Sequence, residues 1–414
     1  MGSREYEKTH PFLTFQADMR RLSHEVWILL GEAQSKFQHV AGVPLPPARQ
    51  DELNRVYLAK GALATTAIEG NTLSEDEVKA LLDKELHLPP SRQYLAQEVE
   101  NVVNACNKIC DDDSEHFQTI TPELIKEFNE RVLRDLPLPD EVVPGHLRQH
   151  SVTVARYKGA PWRDCPYLLE RLCDWLNTGF PSEPGNEHLW AIVKALLAHL
   201  YIAWIHPFAD GNGRTARLLE FSLLVHAGVP QPAAHLLSNH YNVTRSDYYQ
   251  QLDLAFRKGG DFVPFVRYAV RGLVDGLREQ LEVIRAVQLR YAWRDYVHDF
   301  FGDIGASESL TRRQQLLLAM SREIEVTKNR LTHLTPELAA AYAKKTAKTL
   351  SRDLHFLLGS QLIELTGPRT YRARSYIMVA FLPRRRTDPW DDLVARPGSI
   401  TAAPQPARRN QDRR

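Results

Sequence analysis

Four cysteines in 414 residues are too few for a disulfide scaffold. They also lack a ligand pattern: Cys106 and Cys110 lie four apart on an expected helix, and Cys165 and Cys173 have no paired histidines. Plain buried thiols in a reducing cytoplasm are the expectation, ahead of a zinc site. Net charge is nearly absent, with 52 Lys and Arg against 51 Asp and Glu. The whole molecule is therefore no electrostatic nucleic-acid binder, and any basic surface must be local. The most hydrophobic run, "LWAIVKALLAHLYIAWI" at 189–205, is slightly short for a membrane span and contains Lys194 and His199. It reads as a buried central helix, so no membrane partner is expected. The opening "MGSREYEKTH" has no apolar segment of the signal-peptide kind, and Tyr6 stands where a myristoylation signal wants Ser or Thr. No repeat of solenoid period, no Walker A loop and no dinucleotide fingerprint occurs. What is there is ordinary for a globular protein, 43% hydrophobic and 25% charged, with length for two or three domains.

The pattern along the chain is mainly helical. "DELNRVYLAKGALATTAIEG" has apolar residues at near-helical spacing and stops at Gly70 and Asn71. Ser74 and Glu77 make a capping box, and Thr121-Pro122 opens another helix. Between helices, "PGHLRQHSVTVARYKGAPW" alternates at Val152 and Val154, which predicts a β-hairpin with Gly159 in its short turn. Such a hairpin must rest on something to be stable. Helical patterns run on to about Phe301. The small, polar stretch 302–310 predicts a linker. Beyond it, helix, helix, helix, strand, turn, strand is the order of a winged helix-turn-helix over 308–382. The Pro- and Arg-rich stretch 383–414 predicts a disordered basic tail. The expected division is 1–110, a helical region; 111–301, a core; then 308–382 and the tail.

One stretch concentrates polar chemistry: "HPFADGNGRTAR", residues 206–217. Gly211-Asn212-Gly213 permits a tight turn whose exposed N–H groups make an anion nest. An amphipathic helix follows, so its dipole adds to that nest. Arg214 and Arg217, three apart, offer guanidinium forks to phosphate oxygens, and Asn212 offers a further donor. Asp210 is a hard oxygen ligand of the kind that holds Mg²⁺ between phosphates. His206 can take a proton near neutral pH. Each feature alone is an ordinary turn or a solvated face. Their coincidence in twelve residues describes a polyphosphate site with a metal and a general base.

The same residues match without departure the motif HPFx(D/E)GNGRxxR, and the chain over roughly 50–275 resembles the Fic family. The resemblance implies a mainly α fold, a Fic helical core with a β-hairpin flap, here followed by a small α+β winged helix domain. It implies a protein adenylyltransferase that moves AMP from ATP to a Ser, Thr or Tyr hydroxyl of a target protein and releases pyrophosphate. His206 would deprotonate the hydroxyl and Asp210 would bind Mg²⁺. Phe208, Gly211, Asn212, Gly213, Arg214 and Arg217 would form the nucleotide site. Ser151, Val152, Thr153 and Val154 would be the flap that adds a strand to the target, with Arg148 supporting its edge.

"TTAIEGN" resembles the family's inhibitory (S/T)xxxE(G/N) helix, on an expected helix at about 51–70. Thr65, Glu69 and Gly70 fill that pattern, and the resemblance pairs Glu69 with Arg217 against the γ-phosphate. The same glutamate supports AMP removal in some relatives, so a reverse activity stays open, as does a family-typical homodimer. In the last third, Lys344, Lys345, Lys348 and Arg352 fall on the expected recognition helix, and Arg369, Arg372 and Arg374 on the expected wing. Cations there suit DNA phosphates. The alternative function is thus a nucleotide-sensing DNA-binding regulator.

Overall fold

The computed structural model describes residues 4–111, 119–154, 157–181 and 184–379. The first elements are helices: α1 (Glu5–Thr9), α2 (His24–Ala41), α3 (Pro47–Ile68), α4 (Glu75–Leu82), α5 (Gln93–Asp111) and α6 (Pro122–Leu133). Their starts follow local chemistry. The Ser23 hydroxyl accepts from the Val26 N–H, Ser74 and Glu77 close a capping box, and Thr121 accepts from Leu124 behind Pro122. A two-stranded ladder follows, β1 (Thr153–Val154) and β2 (Tyr157–Lys158). Then come α7 (Cys165–Thr178), α8 (Glu187–Ile205), α9 (Asn212–His226), α10 (Gln231–Ala234), α11 (Leu236–Val243), α12 (Arg245–Arg257) and α13 (Val263–Ile304).

At the centre lies α8, buried from Ala191 almost without interruption to Ile205, and packed along α9. It is long and apolar enough to cross a membrane by length and composition, but 72% of that window is inside the fold. The four cysteines are free thiols, and burial pushes the Cys165 thiol up to about 11.

The hairpin differs from its expected form. Thr153 pairs with Lys158 and Val154 with Tyr157, so Gly159 follows the second strand instead of sitting in the turn. It rests on the core through Tyr157, whose ring packs edge-on against Phe256 at 4.5 Å and whose hydroxyl donates to the Trp204 carbonyl. Alternation placed the first strand but carried no signal for a strand as short as β2.

The chain divides into two compact units, Met1–Gln280 and Leu281–Arg414. Two expected boundaries differ from this division. Residues 1–110 are not separate, because Leu30, Ala62 and Val99 share one hydrophobic core with Phe128, Leu196 and Leu219. The second unit begins within α13 and not at 302–310, because Trp293, Val297 and Phe301 pack with Leu316, Leu317, Leu354 and Leu357. That unit contains α14 (Glu308–Met320), β3 (Val326–Thr327), α15 (Pro336–Ala343), α16 (Ala347–Gly359), β4 (Ile363–Gly367) and β5 (Thr370–Ala373). The antiparallel sheet has the order β3-β5-β4. Strand β3 was not expected; two residues carry no alternation to read. Buried Asp353 ties the helices together, accepting from Arg312 Nε (2.8 Å), Arg313 Nε (2.8 Å) and the Tyr342 hydroxyl (2.9 Å). The stretch 383–414 lies outside the described residues.

Candidate functional site

The polar stretch links the two central helices. His206 ends α8 in the left-handed conformation (φ 52°, ψ 58°), its N–H still bonded to the Ile202 carbonyl at 2.9 Å. For an L residue this costs about 1–2 kcal/mol and persists only when neighbours fix it. Arg148 is the principal one. Its Nε donates to the His206 carbonyl (2.6 Å), its Nη1 to His150 O (2.6 Å), its Nη2 to Ala160 O, and its N–H to Pro207 O (3.0 Å). Gly159 lets this layer close, since a Cβ there would meet the His206 Cβ at 2.9 Å. From the other side Asn129 donates to the Asp210 carbonyl (2.9 Å) and the Thr215 hydroxyl (3.2 Å). Gly211 (φ 76°) then turns the chain into α9 without a side-chain cap, leaving the first N–H groups of that helix as orphan donors.

The motif residues do not all point the same way. The Asn212 amide is spent inside the loop, accepting from the Phe208 N–H (3.0 Å) and donating to its carbonyl (2.8 Å). The expected Asn212 donor to phosphate is therefore engaged elsewhere, and the residue offers an anion its backbone. The Phe208 ring is buried in the core, so it supports the loop from beneath. Asp210 is open to solvent: its side chain is 47% exposed, accepts from the Gly211 N–H (2.5 Å) and lies 3.4 Å from Arg214 Nη2. Among the described residues no group of three or more His, Cys, Asp or Glu could hold a metal by itself. A magnesium ion there would need phosphate oxygens beside Asp210, which is the usual way that ion is bound.

The arginines are buried. Arg214 donates to Glu98 Oε1 on α5 at 3.1 Å. Arg217, with its side chain only 1% exposed, donates through Nη2 to Glu69 Oε1 (2.6 Å) and to the Thr65 carbonyl (3.0 Å). Thr65 thus meets the arginine through its backbone. Gly70 (φ 109°) turns the chain immediately after Glu69. The Glu69 carboxylate also lies against Gly213, so it occupies the anion position at the start of α9. Burial alone would raise the Glu69 pKa, but the charge and hydrogen bond of Arg217 win and hold it below the usual carboxylate range. Behind Arg217 a polar chain runs inward: Tyr248 to His199 at 2.9 Å, His199 to Glu220 at 3.3 Å, Glu220 to Tyr241 at 2.8 Å. The Nε of each motif arginine is buried without a partner, which fits a site built to take further acceptors.

His206 is pushed down to about 4, mainly by burial, with Arg148 adding to the drop while the Ala203 backbone, Glu69 and Asp210 oppose it. It is neutral at pH 7 and able to accept a proton. In the flap, Ser151, Thr153 and Val154 are exposed and Val152 is half-buried. The residues sequence reasoning missed are Asn129, Glu98, Asn71, Tyr248 and Gly159. No local pattern marks these roles, because Asn129, Glu98, Tyr248 and Gly159 meet the motif across long sequence separations and Asn71 reaches it only through Glu98.

A mainly helical domain with this loop at its centre has the Fido fold. More specifically, residues 119–224 match the model of the Fic/DOC family. Over 208 residues it is 32% identical to protein adenylyltransferase fic-1 of Caenorhabditis elegans, covering 50% of this chain and 38% of that one. Over 254 residues it is 29% identical to protein adenylyltransferase Fic of Nematostella vectensis, covering 61% and 55%. The chain therefore spans less than two thirds of either relative. A crystal structure of a Fic family protein from Desulfovibrio desulfuricans G20 shares the fold, with a TM-score of 0.51 and 21% identity over 88% of this chain and 98% of that chain.

Proposed function

We propose that this protein is an autoinhibited adenylyltransferase that moves AMP from ATP to a hydroxyl of a protein. The observation that carries the reading is the 2.6 Å pair of Glu69 and Arg217 at the start of α9, beside a neutral His206. The names of the relatives in worm and sea anemone support the same reaction class. His206 takes the proton of the target hydroxyl. The hydroxyl oxygen bonds to the α-phosphorus, the bond from that phosphorus to the bridging oxygen breaks, and pyrophosphate leaves. Arg214, Arg217 and the first N–H groups of α9 neutralise the outer phosphates, and Asp210 would hold Mg²⁺ against them, which adds Lewis-acid charge neutralisation when bound. The free edge of the β1–β2 ladder aligns the target segment by backbone pairing. Glu69 holds this machinery off, because Arg217 cannot fork onto a carboxylate and a γ-phosphate together.

The test is incorporation of label from α-labelled ATP with Mg²⁺ into protein, for the parent chain, Glu69→Gly and His206→Ala. Label should rise in the first variant and vanish in the second. Silence in every variant would move the weight to a nucleotide-sensing DNA-binding regulator.

A second reading concerns the residues from 281 on, as a winged helix that binds DNA. Lys348 and Arg352 lie one turn apart on α16, exposed, and in no ion pair among the described residues. The other expected cations differ. Lys344 and Lys345 precede α16, Lys345 pairs with Glu308, Arg372 pairs with Glu364, and Arg374 donates to the Gln361 carbonyl and the Tyr376 hydroxyl. Arg369 is exposed at the β4–β5 turn. DNA binding that falls steeply with salt and weakens in Lys348→Ala/Arg352→Ala is the expected result; no shift at low salt counts against it.

A further inference from the structure

Glu98 belongs to no motif, yet its carboxylate is shared between the two functional parts of the site. Oε1 accepts from Arg214 Nη1 at 3.1 Å, and Oε2 accepts from Asn71 Nδ2 at 2.9 Å. Asn71 stands two residues past Glu69 and fastens that turn. Its amide donates to the Leu95 carbonyl (2.8 Å), its Oδ1 accepts from the Leu73 N–H (3.0 Å), and its own N–H bonds the Thr66 carbonyl (3.1 Å). The turn that presents Glu69 is thereby tied to α5 at the residue that also grips Arg214.

The burial of these groups makes the arrangement consequential. The Arg214 side chain is 6% exposed and that of Glu98 16%. A guanidinium so far from water needs a fixed counter-charge. Asp210, half-exposed and 3.4 Å away, is the looser of the two partners. Glu98 takes one end of the fork and leaves the buried Nε–H free of protein partners.

We propose that Glu98 is a positioning residue with two tasks in one carboxylate: it orients Arg214 toward the outer phosphates of the nucleotide, and it fastens the turn that carries the inhibitory glutamate. This rests on the nucleotide reading above. It goes further by coupling the two arginines: Arg217 is blocked by Glu69 while Arg214 is held ready, and one side chain ties both states together.

The tasks separate by mutation. Glu98→Gln keeps the size and an acceptor for Asn71 but removes the charge. Asn71→Ala cuts the tie to the turn and leaves the Arg214–Glu98 pair. ATP and AMP are titrated by calorimetry into Glu69→Gly and into Glu69→Gly/Glu98→Gln, with melting temperatures alongside. The added Glu98→Gln should weaken ATP about tenfold, the worth of one charge-assisted hydrogen bond, and leave AMP unchanged, since AMP has no outer phosphates. Glu98→Asp, which keeps the charge but shortens the reach, must show the same ATP-only loss and serves if the glutamine variant melts early. In the otherwise native chain Asn71→Ala should raise AMP incorporation several-fold. Equal losses for ATP and AMP, or none, overturn the positioning role. Unchanged incorporation in Asn71→Ala overturns the fastening role. If Glu69→Gly binds neither nucleotide, the nucleotide reading itself fails and this proposal falls with it.

Discussion

Removing the Glu69 carboxylate should destabilise the free protein and sensitise it to ATP at the same time. Arg217 is 1% exposed and its nearest charge is Glu69 at 2.6 Å. Without that partner the guanidinium keeps the Thr65 carbonyl and a long 3.5 Å contact to the Tyr248 hydroxyl. Breaking a fully buried pair costs about 3–5 kcal/mol. The Glu69 side chain is a third exposed, so water enters once it is cut back, and about 1–3 kcal/mol is the appropriate range for a lost hydrogen bond to a charged group. With about 2–4 °C per kcal/mol for a unit of this size, the variant should melt roughly 5 °C below the parent. Nucleotide at a hundred times its dissociation constant restores about 2.7 kcal/mol, enough to cancel the loss. Thermal melts of the parent, Glu69→Gln and Glu69→Gly, each free and with Mg-ATP or AMP, read this directly. Glu69→Gln keeps the helix-end backbone, so a drop seen in both variants belongs to the charge. The reasoning is refuted if both variants melt with the parent, or if ATP raises their melting temperature no more than AMP does.

On the proposed reading, the neutral state of His206 would set the acid limb of the transfer. Transfer by Glu69→Gly should hold its rate from pH 8 to 5.5, because the histidine protonates only near pH 4 and losing the Glu69 charge lowers it further; a half-maximal rate near 6.5 in a pH–rate profile contradicts this. Arg148→Ala should cost at least about 2 kcal/mol in urea unfolding and slow transfer, since it leaves buried carbonyls of His206 and Ala160 without donors; a neutral effect on stability sinks the assignment. Acid should weaken the fold well above the carboxylate range. Burial lowers His235 to about 3 and both His240 and His206 to about 4. The unfolded chain therefore takes up protons first as pH falls below 6.5, and stability drops by about 1.4 kcal/mol per pH unit and per histidine until the folded values are reached. Flat urea midpoints between pH 7.5 and 5 are the contrary result. For the second unit, Lys348→Ala/Arg352→Ala should reduce the log–log salt slope of DNA binding by roughly 2; an unchanged slope places the contact elsewhere.

The parts legible in the sequence are those whose cause is local. Ser74 and Glu77 start α4 as a capping box, Gly211 starts α9, and the twelve-residue motif lies within one turn and two helix ends. The Glu69–Arg217 pair bridges 148 positions and was reached through a resemblance, not through spacing. Arg148, Asn129 and Glu98 hold the loop from 58, 81 and 116 positions away. Arg148 was named through the same resemblance; nothing in the residues around Asn129 and Glu98 distinguishes them from surface polar groups, and only the packing of α5 and α6 on α9 does. The second unit shows the same limit. The cations at 344–374 were visible, but which of them a carboxylate neutralises depended on a tertiary fold that places Glu308 by Lys345 and Glu364 by Arg372.

On the proposed reading Glu69 engages an arginine and not the base, and the geometry offers a physical reason for that choice. His206 is already neutral and needs no activation that an inhibitor could withhold. Arg217 carries a charge that must be satisfied by something, so whichever anion is present at higher effective concentration takes it. Glu69 is built into α3, whose Ala59, Ala62 and Ile68 are buried and whose end is latched by the Tyr249 hydroxyl on the Ile68 carbonyl (3.0 Å) and by Asn71. On the proposed reading, ATP in solution would compete with a tethered carboxylate. To turn a 1:99 balance into 99:1 a trigger must favour the released state by about 5.5 kcal/mol, more than the one hydrogen bond to Arg217 supplies. On that reading a trigger would act by loosening the end of α3, through the contacts of Tyr249 and Asn71.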